Sequence, residues 1–263
     1  MKLTVTVITR NEASNIAAAL ESVAWADEII VIDSHSSDDT VAIARRLATR
    51  VEIRDWPGYG AQKNHAAGLA SNDWILSIDA DERVTPGLAR EIREILSGNP
   101  AAPGYRIPRV AFYLGRWIRS TDWYPDYQLR LYDRRAGRWD ERRVHESLRL
   151  EGSPGVLRQE LQHYPYRNIS HHVQTIDRYT TLAAQDWLAA GRRAGTVQAF
   201  FHPRFAFLRN YVLKGGFRDG SAGLLVSILN SFYVFLKFAK LWELQSAAPS
   251  STADGRSAKT EPR

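Results

Sequence analysis

The order of short apolar runs in the first hundred residues limits the fold more than any other feature of this chain. β-rich runs at Leu3–Thr9, 28–32, 51–54 and 74–78 alternate with helical spacing at 15–23, 40–48 and 59–69. Thr85 and Pro86 then open a helix running to about Leu96, with Thr as the cap and Pro at the first helical position. This alternation predicts a mostly parallel sheet with helices on both faces. In such sheets ligands bind beyond the carboxyl ends of the strands. Two of the predicted strands run into aspartates, Asp33 and Asp79. Two acidic clusters far apart in sequence are therefore expected near one crevice.

The first strand is not followed by G-x-G-x-x-G, and no G-x-x-x-x-G-K-[ST] occurs. A dinucleotide fingerprint and a Walker phosphate loop are both unsupported. The segment 104–166 is rich in arginine and aromatic residues, with short β signals at 128–132 and 147–150. From about Ile169 the pattern turns helical, at 172–190 and again at 222–244. The expected organisation is a catalytic domain over 1–166, with a donor-binding half at about 1–100 and an acceptor half at about 101–166. A helical, basic and apolar region follows over 167–245. Residues 246–263, rich in Ser, Ala, Pro and Lys without periodicity, read as a disordered tail.

Charge is unevenly placed along these segments. The 263 residues carry 35 Lys+Arg against 29 Asp+Glu, a net +6. Between Arg192 and Gln245 eight basic residues face only Asp219 and Glu243, so this one segment accounts for the whole excess. It also holds the most apolar stretch, 222–236, shorter than the ~20 residues that span a bilayer. Leu241, Trp242 and Leu244 extend the stretch, but Lys237, Lys240 and Glu243 interrupt it. The chain has no cysteine, which excludes disulfides, thiolate metal sites and cysteine nucleophiles. Met1 and Lys2 lead straight into a predicted strand, so no secretory leader is expected.

The carboxylates carry the chemistry. Asp79-Ala80-Asp81-Glu82 follows a buried-looking strand. Two carboxylates at i and i+2 in a turn can hold Mg²⁺ or Mn²⁺ with help from water and phosphate oxygens. A solvated acidic turn that caps the next helix is the plainer reading. Asp33 begins an Asp-Ser-x-Ser-x-Asp turn. Asp38 and Asp39 are the better cap residues there, which leaves Asp33 for a base or ribose. His145-Glu146 follows Arg142-Arg143-Val144. Glu146 is a candidate general base or a surface salt-bridge partner, and Asp126 is its rival. His163 is more often structural than catalytic and stays a minor candidate for phosphate or metal contact. Lys63 is a candidate for a donor phosphate or base. Arg130 and Arg134 are candidates for anions, although the alternation from Gln128 to Tyr132 equally suits a half-exposed strand.

Taken together, certain stretches resemble the inverting family 2 glycosyltransferases, and more narrowly those of bacterial lipopolysaccharide core biosynthesis. They are Val7-Ile8-Thr9-Arg10-Asn11-Glu12, the run from Trp25 to Ser34, the run from Asp55 to Asn64, Ser77-Ile78-Asp79-Ala80-Asp81-Glu82, the run from Pro125 to Leu131, and Val144-His145-Glu146. The likeness continues to Leu244. It implies a GT-A-like nucleotide-sugar-binding α/β fold with a helical C-terminal extension. Thr9, Asn11, Glu12 and Asp33 would hold the nucleoside, with Lys63, Asp79 and Arg130 also on the donor. Asp81 and Asp79 would be the metal ligands, Asp81 the safer of the two, with a place facing the ribose or sugar as the alternative for Asp79. Glu146 would be the base, preferred to Asp126 because it matches the family's His-Glu element.

The implied reaction is direct displacement at the anomeric carbon of a nucleoside-diphosphate sugar, UDP-linked, by a hydroxyl of a lipid-linked saccharide such as lipopolysaccharide core. Mg²⁺ or Mn²⁺ would sit on the diphosphate, in a hexosyl- or heptosyltransferase. The basic C-terminal segment adds an anionic membrane surface as partner, on the cytoplasmic face of the inner membrane, and leaves room for a homo-oligomer. A nucleotidyltransferase acting on sugar phosphates is the rival enzyme class, and it wants a glycine-rich loop that is missing here. A nucleic-acid-binding module is disfavoured because the acidic clusters would repel a phosphate backbone.

Overall fold

The computed structural model describes residues 1–140 and 147–247. Glu146 and the tail from 248 onward lie outside the described residues. The chain divides into two compact units, Met1–Arg167 and Asn168–Arg263.

The first unit opens with β1 (Leu3–Thr9), α1 (Ile16–Glu21), β2 (Glu28–Asp33), α2 (Thr40–Leu47), β3 (Arg50–Ile53), α3 (Tyr59–Gly68) and β4 (Trp74–Asp79). β5 (Glu82–Val84) and α4 (Pro86–Ser97) follow. Then come β6 (Gly104–Tyr113), β7 (Arg116–Ile118), β8 (Asp126–Asp133), β9 (Gly137–Trp139), β10 (Leu148–Leu150), β11 (Gly155–Val156) and β12 (Leu161–His163). The main sheet runs β3-β2-β1-β4-β8-β6-β12-β5, while β9 and β10 pair separately. The first four strands are mutually parallel. β8 is antiparallel to both β4 and β6, and β12 is parallel to β6 but antiparallel to β5. The α/β class and the parallel arrangement expected from the alternation are what this part of the chain forms.

Both faces of the parallel half are covered, which is why its strands are apolar almost throughout. Leu3, Val5, Val7, Ile29, Val31, Leu76 and Ile78 point to one side, where Ile16, Leu20, Leu88 and Ile92 pack on them. Ile8, Ile30, Ile32 and Ile75 point to the other, against Ala66 and Ala67 of α3 and against Trp139. The switch of face at every residue follows from the two-residue period of a strand. Thr85 caps α4 as expected, its hydroxyl accepting from the Leu88 amide at 3.1 Å.

The ten-residue β6 was not foreseen, because Pro108 breaks its β pattern. Proline is tolerated where no neighbouring strand needs its N–H. Pro108 lies between the residues paired with β11, Tyr105 and Arg106, and those paired with β12, which start at Arg109.

The second unit is helical: α5 (Ile169–Ala189), α6 (Thr196–Leu208) and α7 (Gly220–Ala247). A π-helical turn over Arg209–Leu213 and a 3₁₀ turn over Gly216–Asp219 connect the last two helices. α6 lies inside the region expected to be helical, but outside the two helical runs marked there. It carries Pro203 in its interior, and a proline there normally argues against a helix.

Candidate active site

The site is built where the strand order reverses. β1 lies between β2 and β4, with Thr9 beside Asp33 on one side and Ile8 beside Asp79 on the other. The loops that leave β1, β2 and β4 therefore open at one end of the sheet, where the α/β rule puts a ligand.

The loops after β1 and β2 are fastened together. Asn11 adopts φ 55°, a left-handed conformation that its short polar side chain tolerates. Its backbone amide donates to Ser36 Oγ at 2.8 Å, and its Oδ1 accepts from the Ser37 amide at 2.8 Å. The Glu12 amide donates to Thr40 Oγ1 at 2.8 Å, and the Ala13 amide donates to Asp38 at 3.1 Å. Asp33 is fully buried, and its two carboxylate oxygens accept from the amide and hydroxyl of Ser36. The expectation that the capping role of Asp38 and Asp39 frees Asp33 is therefore corrected. Asp38 does hold Thr40, but Asp39 makes no capping bond and Asp33 braces its own turn. Thr9 is buried as well, and its Oγ1 has no hydrogen-bond partner among the described residues. A buried polar atom in that state costs on the order of 1–3 kcal/mol, so a ligand donor reaching it would be rewarded.

The turn after β4 divides its two aspartates. Asp79 is half-buried, with Arg130 Nη2 at 2.5 Å from Oδ2 and Lys63 Nζ at 3.3 Å from Oδ1. Burial pushes the Asp79 carboxyl up, but Arg130, Lys63 and Arg109 outweigh it and hold the group well below the usual carboxylate range. The buried Glu82 accepts from Arg109 Nη1 at 2.8 Å, Arg130 Nη2 at 2.8 Å and the Asp79 amide at 2.9 Å. Arg109 continues the chain of contacts to Asp126, its cross-strand partner, through Nε at 2.9 Å and Nη2 at 2.6 Å. Lys63, Arg109 and Arg130 thus meet Asp79, Glu82 and Asp126 in one network. Buried charges persist only when paired in this way.

Asp81 behaves differently. Its carboxylate lies 3.2 Å from His163 Nε2, because β5 and β12 pair with His163 opposite Glu82. It also faces Glu12, whose carboxyl is pushed up by burial and then by the charges of Asp81 and Asp38, against Asn15 and Arg167. Beside His163 opens a cavity of about 280 Å³, lined by Arg109, Asp122, Trp123, Asp126, His163 and Tyr166 among others.

The expected site residues thus sort by position. Thr9, Asn11, Glu12, Asp33, Asp79 and Asp81 share one end of the sheet. Lys63 and Arg130, expected on the donor, are buried and spend their charge on Asp79. Asp79 as a metal ligand is disfavoured for the same reason, since both its oxygens already face cations. Asp126 lines the cavity, but both its oxygens accept hydrogen bonds, from Arg109 and from Gln128 Nε2 at 2.6 Å. Arg134, a candidate for anions, instead caps α3 by donating to the Ala67 and Ala70 carbonyls at 3.1 and 2.8 Å. Glu146 lies outside the described residues.

Glu82 and Arg109 were missed. Glu82 sits next to the D-x-D and offered a positional cue. Arg109 offered none, because Pro108 hid its strand. A divalent ion fits this donor set only in part. Asp81 and His163 supply two ligands, and among the described residues no group of three or more His, Asp or Glu is arranged to hold a metal ion. That suits an ion completed by phosphate oxygens and water, as Mg²⁺ commonly is.

A family model described as Glycosyl transferase family 2 matches residues 4–148, more than half of the chain. The chain belongs to this family. It is 29% identical to the lipopolysaccharide core biosynthesis glycosyltransferase LpsC of Rhizobium meliloti (strain 1021), over 92% of this chain and 93% of that protein. It is 31% identical to the uncharacterized glycosyltransferase RT0209 of Rickettsia typhi (strain Wilmington), over 92% of this chain and 87% of that one. Among solved structures, S. aureus TarS 1-349 aligns with a TM-score of 0.46 at 15% identity, covering 89% of this chain and 72% of that one. The protein is accordingly a family 2 glycosyltransferase with a GT-A-like α/β fold. It is related to an enzyme of lipopolysaccharide core assembly.

Proposed function

We propose that the protein transfers a hexosyl or heptosyl group, with inversion, from a UDP-sugar to a hydroxyl of a lipid-linked saccharide of the lipopolysaccharide core type. The observation that carries this reading is the division within the 79–82 turn. Asp79 is tied into the cationic network, while Asp81 stands with His163 beside an open cavity. The likeness to LpsC over nearly the whole of both chains supports the choice of acceptor class.

In this reading Asp81 and His163 are the residues that would hold Mg²⁺ or Mn²⁺. When bound, the cation neutralises the charge that develops on the leaving group. Thr9 Oγ1, the Asn11–Glu12 loop and the Asp33 turn bind the nucleoside. Lys63 and Arg130 act one layer further out, orienting Asp79 toward the ribose or sugar. Trp123 and Tyr166 offer aromatic faces to the acceptor. Glu146 takes the proton of the attacking hydroxyl, and the full occupation of Asp126's oxygens favours that assignment. The enzyme works as a peripheral protein on the cytoplasmic face of the inner membrane, where a lipid-linked acceptor is presented.

Two substitutions test the roles. Asp81→Ala is expected to abolish the Mn²⁺-dependent thermal stabilisation by UDP and to leave the unliganded melting temperature nearly unchanged. Undiminished Mn²⁺-dependent UDP binding in D81A would reject the metal assignment. Glu146→Gln is expected to keep UDP binding and to lose roughly 10²–10⁴-fold in turnover, the usual worth of a general base. Unchanged turnover in E146Q, measured as donor consumption with acceptor, would move the role to Asp126.

A further inference from the structure

Helix α6 packs the wrong way round for a helix in water. Its stripe at helical spacing, Phe201, Phe205, Leu208 and Val212, faces outward, and Phe200 and Leu213 flank it. Leu213 is 70% exposed and Phe201 61% exposed. The opposite face, at Pro203, Ala206 and Asn210, is buried. A surface helix normally does the reverse, and a contiguous apolar patch of this kind marks an interaction site.

Basic side chains are interleaved with the stripe. The Arg204 guanidinium stands 3.4 Å from the centre of the Phe200 ring. Lys214 and Arg218 are exposed at the end of the stripe. From Arg192 to Gln245 the only acidic residues are Asp219, which is buried, and Glu243, near the C-terminal end of α7. Outward aromatics and leucine under a fringe of Arg and Lys suit an anionic lipid surface, because apolar burial and electrostatic attraction act together there. A second copy of the chain suits it poorly. A two-fold contact sets the same patch against itself, and here it would bring cation against cation with no acid between Phe200 and Arg218 to answer.

We propose that the α6 face from Phe200 to Leu213 is the membrane-docking surface. It inserts Phe201, Phe205 and Leu213 into the interfacial layer of an anionic bilayer while Arg204, Lys214 and Arg218 meet the headgroups. The helical run Gly216–Ser246 is long and apolar enough to cross a membrane by composition, but it is already engaged. Lys240 of α7 bonds to Asp177 and Thr181 of α5 at 2.7 Å, and Ser231 bonds to the Pro203 carbonyl of α6 at 2.7 Å. The proposal is accordingly for interfacial docking, and a spanning α7 is the alternative that the test below separates from it.

The test is sedimentation of the full chain with sucrose-loaded vesicles, with no nucleotide or sugar present. Its outcome is thereby independent of the transfer reaction. Binding to phosphatidylcholine vesicles containing phosphatidylglycerol is expected to exceed binding to pure phosphatidylcholine by about tenfold or more, and to weaken at high salt. Phe201→Glu and Leu213→Glu are each expected to weaken binding by about tenfold, the loss of one partly buried apolar side chain. Their circular dichroism and melting temperature should stay at the parent values, since both residues are exposed. The paired variant R204Q/K214Q should abolish the preference for phosphatidylglycerol. Unaltered binding in F201E and L213E would overturn the proposal. So would absence of binding to either vesicle, a concentration-dependent dimer that F201E dissolves, or resistance to alkaline carbonate extraction, which would mean a spanning helix.

Discussion

Glu82 is the residue on which the geometry of the site converges. It receives Arg109, Arg130 and the Asp79 amide while fully buried. Glu82→Gln should cost about 3–5 kcal/mol, because it leaves two guanidinium groups short of counter-charge inside the protein. Urea unfolding would show the loss directly. Asp79 adds a pH dependence of known sign. Its folded carboxyl titrates below the usual range, held there by Arg130 and Lys63 against the effect of burial. The stabilisation is therefore complete above the ordinary carboxylate pKa and drains away as pH falls below it. Asp79→Asn should flatten the acid limb of the stability curve below about pH 4. The sequence made Asp79 and Asp81 visible as a pair, with Asp81 the safer metal ligand by resemblance, but it did not show what holds Asp79 back. That depended on where Arg130 and Lys63 point, and Lys63 comes from α3, sixteen positions away along the chain.

At the scale of elements, β1 to β4 and the helices between them were legible because each follows a simple period and is bounded by turn residues. β6 and α6 were not, and for the same cause. Each contains a proline that local rules count against it, and tertiary packing tolerates that proline in both. In β6 it sits opposite a gap between β11 and β12. In α6 the Pro203 carbonyl is held by tertiary contact, accepting from Ser231 of α7. Helix α5 carries its own prediction. His172 is buried on its inner face, and burial, with a smaller push from His171, lowers its pKa to about 4. The unfolded chain then binds more protons than the folded one below about pH 6.5. Stability should fall between about pH 6.5 and 4 by up to about 3 kcal/mol and flatten below that. His172→Gln should remove the slope, read as the denaturation midpoint against pH.

At the scale of the whole molecule, the first unit holds the sheet, both apolar clusters around it and all the described site residues. A chain ending at Arg167 should unfold cooperatively and retain Mn²⁺-dependent UDP binding within about threefold of the full chain, a difference of under 1 kcal/mol. It should lose sedimentation with phosphatidylglycerol vesicles. Calorimetry and the vesicle assay check both statements. By itself the sequence determined the α/β alternation, the aspartates at strand ends, the family motifs and the segment that carries the charge excess. These are local or periodic properties, and short-range sterics and burial enforce them residue by residue. The strand order set β1 between β2 and β4, the pairing of β5 with β12 carried His163 to Asp81, and packing turned the phenylalanines of α6 outward. Those arrangements join residues distant along the chain, so only the tertiary structure decided them.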